Sequence, residues 1–305
     1  MGNELLILFY NTMFGFPLEY SSGELPTGCR ITTDRTLLRY ADAVVFHLPD
    51  LRQTLEGEEI EKPDGQLWVA WSLECEVNYP WMEDEEIREL FDLWMGYHDK
   101  DDIAYGYCKY HYQEMLKQPV ERLPEKNKVC MFISSPCNQS HRQEYLYEFM
   151  KYTDVDSYGT FCKNRVLAVD MGRDTLLEVI KDYKFVIAFE NAVALDYVTE
   201  KFYNPLIAGT VPVYFGAPNI NCFCPGESCF VNAAMFETPR RLAEFINRCY
   251  VDHSLYNHFF EWRQRPLLRT FIDRTEKERI NPIVRLCQRL QQIKADEKMC
   301  IFGKS

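Results

Sequence analysis

Short apolar runs, many of them β-branched, alternate with amphipathic stretches along almost the whole chain, and this constrains its folding more than any other feature. The runs fall at residues 5–11 (LLILFYN), 43–48 (AVVFHL), 67–73 (LWVAWSL), 129–135 (VCMFISS), 185–191 (FVIAFEN), 211–216 (VPVYFG) and 229–234 (CFVNAA). Strands of parallel sheets are covered on both faces, so they read as continuous apolar runs. Helical spacing is expected over 83–95, 141–152, 174–183, 197–209 and 239–250. The order strand, helix, strand predicts an α/β architecture built on parallel sheets. At 305 residues the chain is long enough for two such domains. From 276 to 294, Ile280, Ile283, Val284, Leu286, Leu290 and Ile293 form one apolar stripe, expected on a helix packed against the body.

Charge divides the sequence. Residues 1–125 carry 25 acidic and 10 basic side chains, and residues 126–305 carry 21 and 24. The net charge of −12 repels phosphate at long range and argues against a nucleic-acid-binding module. A phosphate-bearing small ligand would be better received by the second half. The segment 118–128 (QPVERLPEKNK) has two prolines and no apolar period, and reads as the linker. No apolar run reaches the length of a membrane span. As it stands the sequence reads as a cytoplasmic chain, or one peripheral to a membrane. If trimmed from a secreted enzyme, it would read as Golgi-lumenal.

Familiar signatures are missing. There is no GxGxxG, no GxxxxGK[ST] and no HExxH, and the six histidines lack metal spacing. Cys222, Cys224 and Cys229 lack a partnering pair, so burial or oxidation suits them better than zinc. No metal site is expected. The informative segment is 183–216. A buried strand ends in Glu190-Asn191, and Tyr197-Val198-Thr199-Glu200-Lys201 then opens a helix. Free amides at a helix start, with a lysine beside them, form a plausible diphosphate cradle. An ordinary capped helix, with Thr199 or Asp196 as cap and Lys201 in solvent, explains the residues alone equally well.

The segment closely resembles the signature of the α1,3/4-fucosyltransferase family, carried by Phe189-Glu190-Asn191, Tyr197 through Lys201, and Pro212-Val213-Tyr214 with Gly216-Ala217-Pro218. Trp68 through Glu74, Phe91 through Tyr107, and Phe132 through Arg142 and Tyr145 are similar to further family stretches. The resemblance implies a GT-B fold, with two Rossmann-like α/β domains facing across a cleft. The domains would be an acceptor-binding domain over 1–122, a GDP-fucose-binding domain over 123–275 and a helical tail over 276–305. It implies an inverting transfer of L-fucose from GDP-fucose to a glycan hydroxyl, most often O3 of N-acetylglucosamine in N-acetyllactosamine-type chains, giving Lewis-type products. Glu74 would be the catalytic base, with Glu76 as rival. Arg142 and Lys201 would hold the diphosphate, Glu200 the fucose hydroxyls, and Asn191 and Tyr197 the rest of the donor. Glu190 would orient the loop. For Glu190 and Tyr197 a purely structural part stays open. GT-B enzymes need no cofactor beyond the donor, although Mg²⁺ or Mn²⁺ could stimulate turnover by screening. Two rival readings also stay open: a GT-B transferase using another nucleotide sugar, and a catalytically silent carbohydrate-binding homologue.

Overall fold

A computed structural model describes residues 4–16, 18, 25–56, 60–120, 124 and 126–302. The chain divides into two compact units, Met1–Gly106 with Ile280–Ser305, and Tyr107–Arg279.

The first unit is built on strands β1 (Leu5–Phe9), β2 (Cys29–Thr32), β3 (Ala43–His47), β4 (Leu67–Ser72), β5 (Leu93–Gly96) and β6 (Ile103–Ala104). All pair in parallel, in the order β2-β1-β3-β4-β5-β6. Short helices α1 (Leu51–Leu55) and α2 (Glu85–Arg88) lie among the connections. Every residue of β1 is buried, which is why its sequence does not alternate. Leu5, Ile7 and Phe9 enter one core cluster, and Leu6 and Leu8 enter the cluster on the other face.

The helix expected over 83–95 does not form. A 3₁₀ turn, Pro80–Glu83, leads into the four-residue α2, and the chain then becomes β5. Two residues explain the change. Asp92 accepts from the Trp68 amide at 2.6 Å and from Lys62 Nζ at 2.7 Å, which fastens the start of β5 to β4. Gly96 lets β5 end in close quarters, since a Cβ there would lie 2.7 Å from Asp101 Oδ2 and 2.8 Å from the Ser72 carbonyl.

The second unit contains α3 (Tyr112–Lys117), β7 (Lys126–Met131), α4 (Arg142–Phe149), β8 (Val155–Ser157), α5 (Arg173–Ile180), β9 (Tyr183–Phe189), α6 (Glu200–Ala208), β10 (Val211–Phe215), β11 (Val231–Asn232), α7 (Pro239–Val251), α8 (His253–Asn257) and α9 (Arg269–Lys277). Its sheet is parallel, in the order β11-β10-β9-β7-β8. Phe185, Ile187 and Phe189 of β9 join residues of α4 and α7 in one cluster, while Val186 and Ala188 pack among α5 and α6 on the other face. The winding reverses between β7 and β9. In an open α/β sheet, ligands bind outside the carboxyl ends of the strands at that point.

The division differs from the expected one. The boundary between 122 and 123 falls on residues outside the described ones, and the units part earlier, after Gly106. The reason is α3, whose Tyr112 and Leu116 are buried with Phe202, Tyr203 and Leu206 of α6. Residues 276–279 also stay with the second unit, where Glu278 pairs with Lys109 at 3.6 Å. The final helix, α10 (Pro282–Phe302), belongs to the first unit. It buries Leu286, Cys287 and Leu290 against the face of the sheet bearing Leu5, Ile7 and Phe9. The stripe expected from 276 is cut by Asn281-Pro282, and Ile280 is left exposed before the helix begins.

Candidate functional site

β9 ends at Phe189, so the next residue, Glu190, leaves the sheet at its carboxyl end. Glu190 has no exposed surface, yet its carboxylate is fully engaged. It accepts from the Thr199 amide at 2.8 Å and from Thr199 Oγ1 at 3.0 and 2.9 Å, and pairs with Lys201 Nζ at 3.3 Å. Thr199 is the N-cap of α6, with extended backbone and its side chain accepting from the Lys201 amide. Glu190 thus fixes the cap, and the cap fixes the first turn of α6. Gly216 makes room for it, since a Cβ there would lie 2.6 Å from Glu190 Cγ. The loop before α6 is fastened by Asp196, whose Oδ1 accepts from Asn219 Nδ2 at 2.8 Å.

Arg142 enters from α4. It is buried at 1% exposure, an unusual position for a guanidinium. Nη1 donates to the Phe189 carbonyl at 2.8 Å and Nη2 to the Cys137 carbonyl at 3.3 Å, while Nε has no acceptor among the described residues. Three of its five N–H groups are therefore uncommitted. Arg142, Glu200 and Lys201 line one cavity of about 120 Å³, together with Phe132, Leu176 and Asn204. Phe132 directly follows β7 and Phe189 ends β9, so the cavity lies at the reversal of winding. Burial works against the Lys201 ammonium, but Glu190 and Glu200 outweigh it and raise its pKa. Burial likewise pushes the Glu190 carboxyl upward, against the pull of Lys201 and Thr199.

The cavity thus brings together Arg142, Glu200 and Lys201. Asn191, Tyr197 and Glu190 do not line it. Asn191 is buried, and its carbonyl accepts from the Ser140 amide at 3.0 Å. Tyr197 is buried, and its carbonyl accepts from Tyr214 Oη at 3.4 Å. Asn204 is a lining residue that the sequence reading missed. It stands four positions after Glu200 and three after Lys201 on one helix, so helical spacing alone would have put it on the same face.

In the first unit, Glu74 and Glu76 follow β4. Ser72 Oγ accepts from the Glu74 amide and donates to the Glu74 carbonyl, both at 3.0 Å, and this local turn sets the backbone there. A small cavity of about 40 Å³ is lined by Ser72, Glu74, Glu76, Trp94, Tyr97 and His98, among others. Glu76 has two side-chain partners. His98 Nε2 lies 3.4 Å away, and Tyr97 Oη donates to it in a short hydrogen bond. Burial favours protonation of Glu76, but these two partners prevail and hold its pKa at about 2. The same pairing overcomes burial at His98 and raises the imidazole.

No group of three or more His, Cys, Asp or Glu side chains among the described residues is arranged to hold a metal ion. No helix among them is long and apolar enough to cross a membrane.

Residues 123–301 match the family described as glycosyltransferase family 10 (fucosyltransferase) C-term, and residues 2–108 match fucosyltransferase, N-terminal. Mouse 4-galactosyl-N-acetylglucosaminide 3-alpha-L-fucosyltransferase 9 is 30% identical over 270 residues, covering 86% of this chain and 72% of the relative. Mouse GDP-fucose protein O-fucosyltransferase 3 is 40% identical over 153 residues, 48% of this chain and only 32% of that relative. An alpha1,3-fucosyltransferase crystallised with GDP superposes with a TM-score of 0.61 at 16% identity, over 95% of this chain and 91% of that one. Another, with GDP-fucose, gives 0.55 at 17% identity, over 79% and 75%. These structural likenesses place the two parallel-sheet units in the GT-B fold class.

Proposed function

The chain belongs to the glycosyltransferase family 10 fucosyltransferases, and on that premise we propose that it transfers L-fucose from GDP-fucose to an acceptor hydroxyl with inversion. The observation that supports this most is the convergence of Arg142, Lys201 and Glu200 on one cavity at the reversal point of the second sheet. A departing diphosphate needs positive charge fixed in advance, because preorganised charge stabilises the transition state without reorganisation. Arg142 supplies a fork that two phosphate oxygens can share, and Lys201 a point charge. Glu200, half-exposed beside them, accepts from fucose hydroxyls. Asn191, Tyr197 and Glu190 shape this site from behind. Glu190 carries the heaviest part, since it holds both Thr199 and Lys201.

Glu74 is the base for the acceptor hydroxyl. Glu76 is unsuited to that part, because a carboxylate with a pKa of about 2 and two committed partners has little appetite for a proton. The chain's own cations face the leaving group, and the two nearby carboxylates, Glu190 and Glu200, are already beside Lys201. A divalent cation would then act by screening, and chelation should change turnover by no more than a few-fold.

Two acceptor classes have support. The relative similar over 270 residues is named for transfer to the 3-position of N-acetylglucosaminides, and the first reading takes an N-acetyllactosamine-type glycan as acceptor. The relative with the higher identity, over a shorter stretch, is named for transfer to protein, and this favours a serine or threonine hydroxyl as a second reading. Incubation with GDP-fucose and each acceptor class, following GDP release and product mass, tests both. No GDP release with either class, or equal release of GDP from GDP-mannose or of UDP from UDP-sugars, would contradict the proposal.

A further inference from the structure

The side-chain charges around the donor cavity balance one another. Lys201 Nζ has Glu190 at 3.3 Å and Glu200 at 3.4 Å, so two carboxylates already answer it. Arg142 adds one more cation, and the four side chains together sum to zero. A sugar nucleotide brings one negative charge on each phosphate. Its binding would leave the cavity anionic unless another positive group stands at the rim.

Arg173 is placed for this. It opens α5, one turn before Leu176, which lines the cavity. Its Nε crosses to α6 and donates to Asn204 Oδ1 at 2.9 Å. Asn204 is itself buried and lines the cavity. The guanidinium carbon lies 5.7 Å from the centre of the Tyr112 ring. Tyr112 feels both the Arg173 charge and the Glu200 charge, which puts the two groups in one neighbourhood. Arg173 is exposed, and no carboxylate among the described residues lies within ion-pair distance of it. With Nε committed to Asn204, both Nη groups keep their donors.

We infer that Arg173, oriented by Asn204, is a further donor-binding residue that receives the diphosphate of the nucleotide at the mouth of the cavity. This deepens the donor reading above and rests on it. A guanidinium pinned through Nε presents its two Nη groups as a pre-set fork, the arrangement that suits phosphate oxygens. The assignment also accounts for an exposed arginine held on a buried asparagine rather than left in solvent.

Calorimetric titration of the full chain with GDP, GMP and guanosine tests it. The variants are Arg173→Gln, Arg173→Lys and Lys201→Ala. Arg173→Gln should weaken GDP about tenfold and GMP less, leave guanosine unchanged, and flatten the dependence of GDP affinity on salt. Arg173→Lys should recover part of the loss. Unchanged GDP affinity in Arg173→Gln, while Lys201→Ala loses it, would remove Arg173 and leave the donor reading standing. Equal weakening of all three ligands would make Arg173 a structural tie between α5 and α6 and overturn the inference. If the wild-type chain bound no GDP, both would fall.

Discussion

Glu190 shows how one buried carboxylate can organise a site it does not line. Removing its charge while keeping its shape, Glu190→Gln, frees Lys201 from its nearer anchor and leaves the Thr199 cap short of an acceptor. Donor affinity should drop and the chain should lose about 2 kcal/mol of stability, read by denaturant unfolding. Glu74→Gln should suppress transfer by two orders of magnitude or so while leaving GDP binding unchanged, and Glu76→Gln should be milder in turnover. The reverse ranking in a GDP-release assay would move the base to Glu76. The Glu76–His98 pair also carries a pH signature. Glu76 is depressed from 4.5 to about 2, so its contribution is full above 4.5 and lost as pH falls toward 2. His98 is raised from 6.5, so its contribution is full below that value and lost as pH climbs through the raised one. The melting temperature should therefore fall on going from about pH 6 to about pH 8, and His98→Gln should flatten that limb. At this scale the sequence disclosed residue types and spacing. It could not tell a ligand from its anchor: Glu190 and Glu200 are both acidic residues near one lysine, and only burial separates them.

At the scale of elements, the strongest signals were the runs with both faces covered. The run 185–191 overlaps β9 with both ends two residues late, and it was legible because a central parallel strand has no solvent side to blur its pattern. The first unit was less legible. Leu93-Trp94-Met95-Gly96 looks helical beside Ile87, Leu90 and Phe91, but pairing with β4 outweighs local spacing there. Strands β2, β6 and β8 are four, two and three residues long, too short to carry a period. The helix just before the expected linker, α3, escaped for a different reason: its anchor is remote in sequence. Arg263 donates Nη1 to the Leu116 carbonyl at 3.0 Å and to the Gln118 carbonyl at 3.3 Å, and Nη2 to the Leu206 carbonyl, so one side chain caps the carboxyl ends of α3 and α6. Arg263→Met should cost about 2–3 kcal/mol, measured by urea unfolding, since it strips donors from three carbonyls in a half-buried setting. A loss below about 0.5 kcal/mol would show that water replaces the arginine there.

At the scale of the whole molecule, the first unit is built from two separate stretches, residues up to Gly106 and residues from Ile280 onward. Leu286, Cys287 and Leu290 of α10 are almost wholly buried in that unit's core. Ending the chain after Asn281 would uncover the sheet face they cover, a loss of about 5 kcal/mol or more, comparable with the stability of a domain. Limited proteolysis of that truncation should digest residues 1–106 while sparing 126–279, and equal resistance of both would contradict the packing. The charge split read in the sequence has its counterpart in the site, since the cations that face the proposed diphosphate all come from the second, less acidic half. The most direct test of that assignment is a crystal structure of the chain with GDP. The diphosphate should lie in the cavity at the ends of β7 and β9, within hydrogen-bonding reach of Lys201 Nζ and the Arg142 guanidinium. Nucleotide bound elsewhere, with that cavity empty and both cations untouched, would contradict the account.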